Sequence, residues 1–495
     1  MFKKILIANR GEIGVRIVRT CREMGISAVA LYEAADRGSL HVRLADECVE
    51  LTSAADFMDQ DVILDIARRT GCDAVHPGYG FLAEDAAFIR ACQETGLTFI
   101  GPPADIIENL LNKIETLEKV RRAGFRTVVH SPRSYEPHEH DALEAAAQKI
   151  GYPLIIKSCI GGRGPGERLV QNQSQFTEAV RQVYVEGQAV YGSRSIYLEK
   201  AILPAYQVGV QILADKRGNL IHLGEREGSI LQKAQKIIEE APALCLDPAQ
   251  RRDLLQTALD LARLFNYENL GTIEFVVDKA GKFYFSEIKA RIQVEHPLTE
   301  VLTRLDLVRE QIRIAAGEPL PLGQADVWLG GWAMMCRVSA ADPWHNFRPS
   351  PGTLTRVRLP GGPEVRVDTY VYCGCEVPAR YDPLLAKLTV WGQNRAICLQ
   401  RMQRALEDFT VIGTPTNLPL LQRIVHAPAF VEGAYSTQFR VPLFNGFHPA
   451  QDDTHLRDLA VAAAVLYMRR KQLFNPGETE RLQGGWHRES RRLPR

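Results

Sequence analysis

The stretch that decides the fold is Gly271 to Glu300, GTIEFVVDKAGKFYFSEIKARIQVEHPLTE. Two runs rich in apolar and β-branched residues, 272–277 and 282–287, flank Asp278-Lys279-Ala280-Gly281, a turn signal. The spacing predicts a β-hairpin. Its first strand carries Glu274 and its second ends on Glu287, so pairing would set two carboxylates side by side. Like charges that close are unfavourable without a cation between them. Hard oxygens so placed suit Mg²⁺ (or Mn²⁺), which takes one or two carboxylates plus substrate phosphates. Beyond them Arg291, Gln293 and Glu295 alternate, and they share one face if the chain stays extended. An exposed hairpin with a solvated polar face accounts for the same pattern.

Outward from the hairpin, composition sets bounds. A chain of 495 residues exceeds what one core holds, so two or three domains are expected. With 60 basic and 59 acidic residues the formal charge is +1, which argues against nucleic acid or a membrane surface as partner. The 10 cysteines are scattered, without a C-x-x-C pair, and favour reduced thiols in a cytoplasmic compartment over disulfides or zinc. No signal peptide is evident at Met1-Phe2-Lys3-Lys4, and no apolar run is long enough to span a bilayer.

At the N-terminus, residues 4–8 read as a strand, Asn9-Arg10-Gly11-Glu12 as a turn, the pattern from Ile13 as a helix, and residues 27–32 as a second strand. That order is a βαβ unit with a parallel sheet. It contains no G-x-G-x-x-G, so a dinucleotide site is unsupported. Residues 153–157 form a further strand ending on Lys157, followed by a loop carrying Gly161, Gly162 and Gly164. Backbone N–H groups of such a loop can cradle phosphate, with the lysine adding a point charge. A ligand-free linker is the alternative. Residues 196–200 and 331–337 read as strands, the second carrying Arg337. Helices are expected over 248–265, over 301–317 and, with apolar residues on one side, over 456–473; the basic end, 482–495, is expected to be disordered.

Glu287-Ile288-Lys289-Ala290-Arg291-Ile292-Gln293-Val294-Glu295-His296-Pro297 resembles the biotin carboxylase signature E-x-N-x-R-x-Q-V-E-H-P, with Lys289 in place of the asparagine. Asn9-Arg10-Gly11-Glu12-Ile13 and His76-Pro77-Gly78-Tyr79-Gly80-Phe81-Leu82-Ala83-Glu84 resemble two further motifs of that family, and the similarity runs from about residue 2 to 445. The resemblance implies an N-terminal parallel, Rossmann-like α/β domain (1–112) and an ATP-grasp domain (113–325) with a mobile lid at about 130–204. A C-terminal mixed β-sheet domain (326–445) and a helical tail (446–495) would follow. It implies carboxylation of biotin on a separate carrier protein, driven by ATP and bicarbonate, as the first half-reaction of an acyl-CoA carboxylase. No A-M-K-M attachment motif occurs in the chain, so biotin would arrive from outside. Implied partners are the biotin carboxyl carrier protein, carboxyltransferase subunits and a second copy of the chain.

By the same resemblance Glu295 deprotonates bicarbonate, held by Arg291, Gln293 and the Val294 backbone, while Arg337 stabilises the biotin enolate. Lys113, Lys157, Lys236 and the glycine loop hold phosphates, Glu199 and Lys200 meet the adenine edge, and Glu274 and Glu287 bind the metal. Several positions depart from the pattern: Ile160 and Pro165 in the loop, Gln207, Leu231 and Ala234 near the nucleotide, Lys289 beside the metal, and Ala341. Two readings follow, a working enzyme with a rebuilt ATP site and a degenerate paralogue with a regulatory or structural role. Another ATP-grasp ligase is the weaker third.

Overall fold

The first alternation to find its place is that of β1 (Lys4–Ile7), whose side chains divide between the two faces of a sheet. The computed structural model describes residues 1–160, 167–232, 235–441 and 453–473, in two units, 1–441 and 442–495. In the first unit β1, β2 (Ser27–Tyr32), β3 (Glu47–Glu50), β4 (Ala74–His76) and β5 (Thr98–Phe99) form a parallel sheet in the order β3-β2-β1-β4-β5. Ile5 and Ile7 pack against Ile13 and Ile17 of helix α1 (Gly11–Glu23). Leu6, Val29 and Val75 meet Phe57, Ile63 and Phe88 on the other face. Gly11 stands at φ +65°, a conformation that glycine adopts without strain, and turns the chain from β1 into α1.

A three-stranded antiparallel sheet is formed by β6 (Leu154–Ser158), β7 (Glu167–Val170) and β8 (Ile196–Lys200), with β6 central. Leu154 and Ile156 bury against Phe176, Val180 and Val183 of the helix Phe176–Tyr191.

The largest sheet is antiparallel and eight-stranded. Its strands β9 (Ala205–Ala214), β10 (Leu220–Gln232), β11 (Gln235–Ala241), β12 (Asn269–Asp278), β13 (Phe283–Lys289) and β14 (Trp332–Ser339) run in the order β13-β12-β9-β10-β11-β14. The strands Leu384–Gly392 and then Val365–Thr369 complete it. The sheet thus continues past Gly330, and Arg337 lies within the sheet that carries Glu274.

Three expectations need correction. The single helix over 301–317 is two, His296–Thr303 and Leu307–Ala315. Arg304 ends the first at φ +62°, and the Asp306 carboxylate caps the second by accepting from the Arg309 N–H. Arg291, Gln293 and Glu295 do not share an extended face, because the chain leaves β13 after Lys289 and turns into the helix at His296. Arg337 is interior to its strand rather than at the end. In the second unit the helix Asp453–Leu473 forms as expected, its apolar side chains Leu459, Val465 and Tyr467 exposed. Residues 482–495 lie outside the described residues. All 10 cysteines are free, and no described helix is long and apolar enough to cross a membrane.

Candidate active site

The hairpin closes as its turn residues dictate. Asp278 exchanges backbone bonds with Lys282 and Gly281, and its carboxylate accepts from the Ala280 and Lys282 N–H groups. That turn fixes a register in which Glu274 lies directly opposite Glu287. Both carboxylates are buried. Each meets an ammonium: Lys236 Nζ is 3.1 Å from Glu274 Oε1, and Lys289 Nζ is 2.8 Å from Glu287 Oε2.

A second cluster adjoins the first. Lys236 also lies 2.9 Å from Glu295 Oε1, and Arg337 Nη2 is 2.9 Å from Glu295 Oε2 and 2.7 Å from Glu239 Oε1. Glu295 is therefore clamped between a lysine of β11 and an arginine of β14. Burial pushes its carboxyl up, but Lys236, Arg337 and Arg226 outweigh that and hold it below the usual range. Glu239 moves the other way, raised by burial and by the neighbouring Glu295 charge. One of two adjacent carboxylates is kept ionised at the other's expense.

Gln293 joins the clusters by donating from Nε2 to Glu274 Oε1 at 2.9 Å. Its amide orientation is set by Arg226, a buried guanidinium on β10 that donates to Gln293, Gln211, Thr272 and Thr299. Arg291 goes elsewhere: its Nε donates to Glu84 Oε2 at 2.9 Å, in the His76–Glu84 motif. Glu295 and Glu287 still contribute to the field at Arg291. Val294 lies between Gln293 and Glu295 in the same turn.

Lys113 opens the helix Lys113–Arg122, capped by Asn112, whose side chain accepts from the Ile114 and Glu115 N–H groups. With Glu84, Ile160, Glu287 and Lys289 it lines a cavity of about 700 Å³. A second cavity, about 380 Å³, is lined by Lys157, Glu199, Lys200, Gln207 and Leu231. There Lys157 and Glu199 form a buried pair at 2.6 Å, while Lys200 Nζ donates to the Gly151 and Tyr152 carbonyls. Gln207 and Leu231, two of the departures, thus line the cavity that holds Glu199. Gly161, Gly162, Gly164 and Pro165 lie outside the described residues, as does Ala234.

Arg226, Glu84, Glu239 and Tyr79 are site residues that the sequence reading missed. Tyr79 donates to Glu12, and Arg337 and Asp382 contribute to the field at its phenol. Its signal was the His76–Glu84 motif itself. Gly209 was also passed over: it pairs with Glu274 across β9 and β12.

For a divalent metal the donors fit: two buried carboxylates in cross-strand register supply hard oxygens. Among the described residues no group of three or more His, Cys, Asp or Glu suits a metal by itself.

A carboxylate hairpin at one edge of an antiparallel sheet, with two lysine-lined cavities beside it, is the architecture of an ATP-grasp ligase. Three family models cover the chain: biotin carboxylase N-terminal domain over 1–107, carbamoyl-phosphate synthase L chain ATP binding domain over 112–322, and biotin carboxylase C-terminal domain over 335–440. Biotin carboxylase of Nostoc sp. is 45% identical over 441 residues, 88% of this chain and 98% of that protein. Propionyl-CoA carboxylase alpha chain of Ruegeria pomeroyi is 41% identical over 494 residues, 94% of this chain and 72% of that one. The biotin carboxylase domain of Hydrogenobacter thermophilus 2-oxoglutarate carboxylase, solved as a dimer with MgADP, ADP and bicarbonate, superposes with a TM-score of 0.86. Its sequence is 40% identical, with 89% of this chain and 97% of that one covered. The chain belongs to the biotin carboxylase family of ATP-dependent ligases.

Proposed function

We propose that this chain uses ATP and bicarbonate to carboxylate biotin presented by a separate carrier, the first half-reaction of an acyl-CoA carboxylase. The observation that carries the reading is the Glu295 carboxylate, bridged at 2.9 Å on one oxygen by Lys236 and at 2.9 Å on the other by Arg337. One cation faces the metal carboxylates and the other belongs to β14, so the base sits where a phosphoryl side and a biotin side meet.

Held ionised, Glu295 is ready to accept a proton from bicarbonate bound by Gln293, the Val294 backbone and Arg291. When Lys236 turns to phosphate oxygens and Arg337 to the biotin ureido oxygen, Glu295 loses two neutralising charges. Its basicity then rises at the moment it is needed. Mg²⁺ on Glu274 and Glu287 would neutralise charge on the transferring phosphoryl group. Lys113, at the positive end of its helix, adds to that neutralisation. Arg337, fixed by Glu239, is aimed to stabilise the enolate oxygen of biotin. The Lys157–Glu199 cavity takes the nucleotide, with Lys200 along it.

The domain assignment proposed is 1–112, 113–325 with its lid at 130–204, 326–445 and the tail. Partners proposed are a biotin carrier, carboxyltransferase subunits and a second copy of the chain, supported by relatives named as subunits or alpha chains. The test is ATP hydrolysis with and without bicarbonate, then with free biotin. Dependence on bicarbonate and stimulation by biotin support the reading; bicarbonate-independent hydrolysis removes it.

A second reading has its own observation. Lys289 sits on Glu287, and Leu231, another of the departures, lines the cavity proposed for the nucleotide. A subunit that assembles with a catalytic chain without turnover fits those changes. Turnover by the isolated chain excludes it.

A further inference from the structure

The metal carboxylates of this chain are not in the setting that the family pattern describes. Glu287 and Lys289 are two residues apart on β13, so their side chains share one face of the strand. The Lys289 ammonium lies 2.8 Å from Glu287 Oε2, and both residues line the 700 Å³ cavity that Lys113 and Ile160 wall from other elements. Across the β9–β12 ladder, Gly209 stands opposite Glu274. Compared with the signature, this site has an ammonium at 289 in place of a neutral amide.

We propose that Lys289 takes the place of a second divalent cation, so that this chain binds its nucleotide with a single metal ion. The inference rests on the nucleotide-binding reading above and goes further by fixing the metal count. A lysine ammonium is a compact charge with three donors. Seated on one Glu287 oxygen, it has donors left for a phosphate oxygen of a nucleotide in the cavity, as a metal ion bridging carboxylate and phosphate would. Its charge also repels any second cation that approaches the same carboxylate. Glu274 and Glu287 would then hold one ion. Asparagine at 289 offers the opposite chemistry: no charge, and a carbonyl oxygen that suits Mg²⁺ or Mn²⁺.

The test counts bound metal rather than turnover. The full chain, saturated with AMP-PNP, is titrated with Mn²⁺ while free Mn²⁺ is followed by electron paramagnetic resonance. The expected result is one Mn²⁺ per chain for the wild type and for Lys289→Arg, which keeps the charge, and two for Lys289→Asn. Two Mn²⁺ in the wild type, or one in a folded Lys289→Asn protein, overturns the assignment while leaving the parent reading intact. AMP-PNP bound by none of the three proteins overturns both.

Discussion

Lys236 Nζ and Glu295 Oε1 lie 2.9 Å apart, although 59 residues separate them in sequence, and the same ammonium reaches Glu274 at 3.1 Å. One lysine therefore couples the proposed base to the proposed metal carboxylates. Lys236→Met should lower bicarbonate-dependent ATP hydrolysis by roughly a hundredfold or more, because it removes a charge that stabilises the transferring phosphoryl group. Measuring kcat with ATP varied at saturating bicarbonate checks this. An unchanged kcat contradicts the coupling.

Arg337 is held by Glu239 at 2.7 Å and Glu295 at 2.9 Å, on the side of the cluster proposed to receive biotin. Arg337→Met should raise KM for free biotin by about tenfold to a hundredfold, the loss of one charge-assisted hydrogen bond. KM for ATP should stay nearly constant. Equal loss on both substrates would assign Arg337 to the nucleotide instead.

Gln207 and Leu231 line the cavity of about 380 Å³ that contains Glu199. Gln207→His with Leu231→Gln restores the family's polar groups. ADP affinity, read by calorimetry, should tighten by roughly tenfold or more, since each regained hydrogen bond to a charged ligand is worth about 1.5–3 kcal/mol. Affinity unchanged in the double variant means that other residues have taken over the base contacts.

Lys387 is fully buried, with Nζ 2.9 Å from Glu12 Oε2 of α1. Tyr79 donates to the same carboxylate, and the Lys387–Glu12 pair ties α1 to the strand Leu384–Gly392. Lys387→Met strands the Glu12 charge and should destabilise the protein by about 3–5 kcal/mol. Glu12→Gln with Lys387→Met should recover most of that loss in denaturant unfolding. A double variant no more stable than Lys387→Met alone contradicts a paired charge.

Burial and the nearby Glu240 push the Glu227 carboxyl up from its ordinary 4.5 to about 7. A carboxyl raised on folding costs nothing below pH 4.5, where both states are protonated. Above it the unfolded state ionises first, so stability falls as pH rises through that window, by about 3 kcal/mol in all. Glu227→Gln should flatten this part of the Tm–pH curve. Parallel curves for variant and wild type argue that Glu227 does not titrate there.

Much of the site was legible because its geometry is local. The four-residue turn at Asp278–Gly281 forces one register, and that register alone sets Glu274 against Glu287. The α1 region was equally readable, since Gly11 punctuates a strand and a helix that are both strongly patterned. The shared face expected for Arg291 was misjudged because its partner, Glu84, comes from the short helix Phe81–Glu84, more than 200 residues earlier, which alternation in one segment cannot reveal. Arg226 was invisible for a similar reason: its four acceptors come from β9, β12 and the residues after β13. The break at Arg304 was hidden by apolar periodicity on both sides, although Asp306 before Leu307 is a helix-start signal.

The most direct test of the central claim is the transfer of isotopic label from bicarbonate to free biotin by the purified chain with MgATP. The account predicts labelled carboxybiotin from the wild type and none above background from Glu295→Gln, with the variant folded and binding ADP as before. Labelled product from the Glu295→Gln protein at an undiminished rate, or none from the wild type, would contradict it.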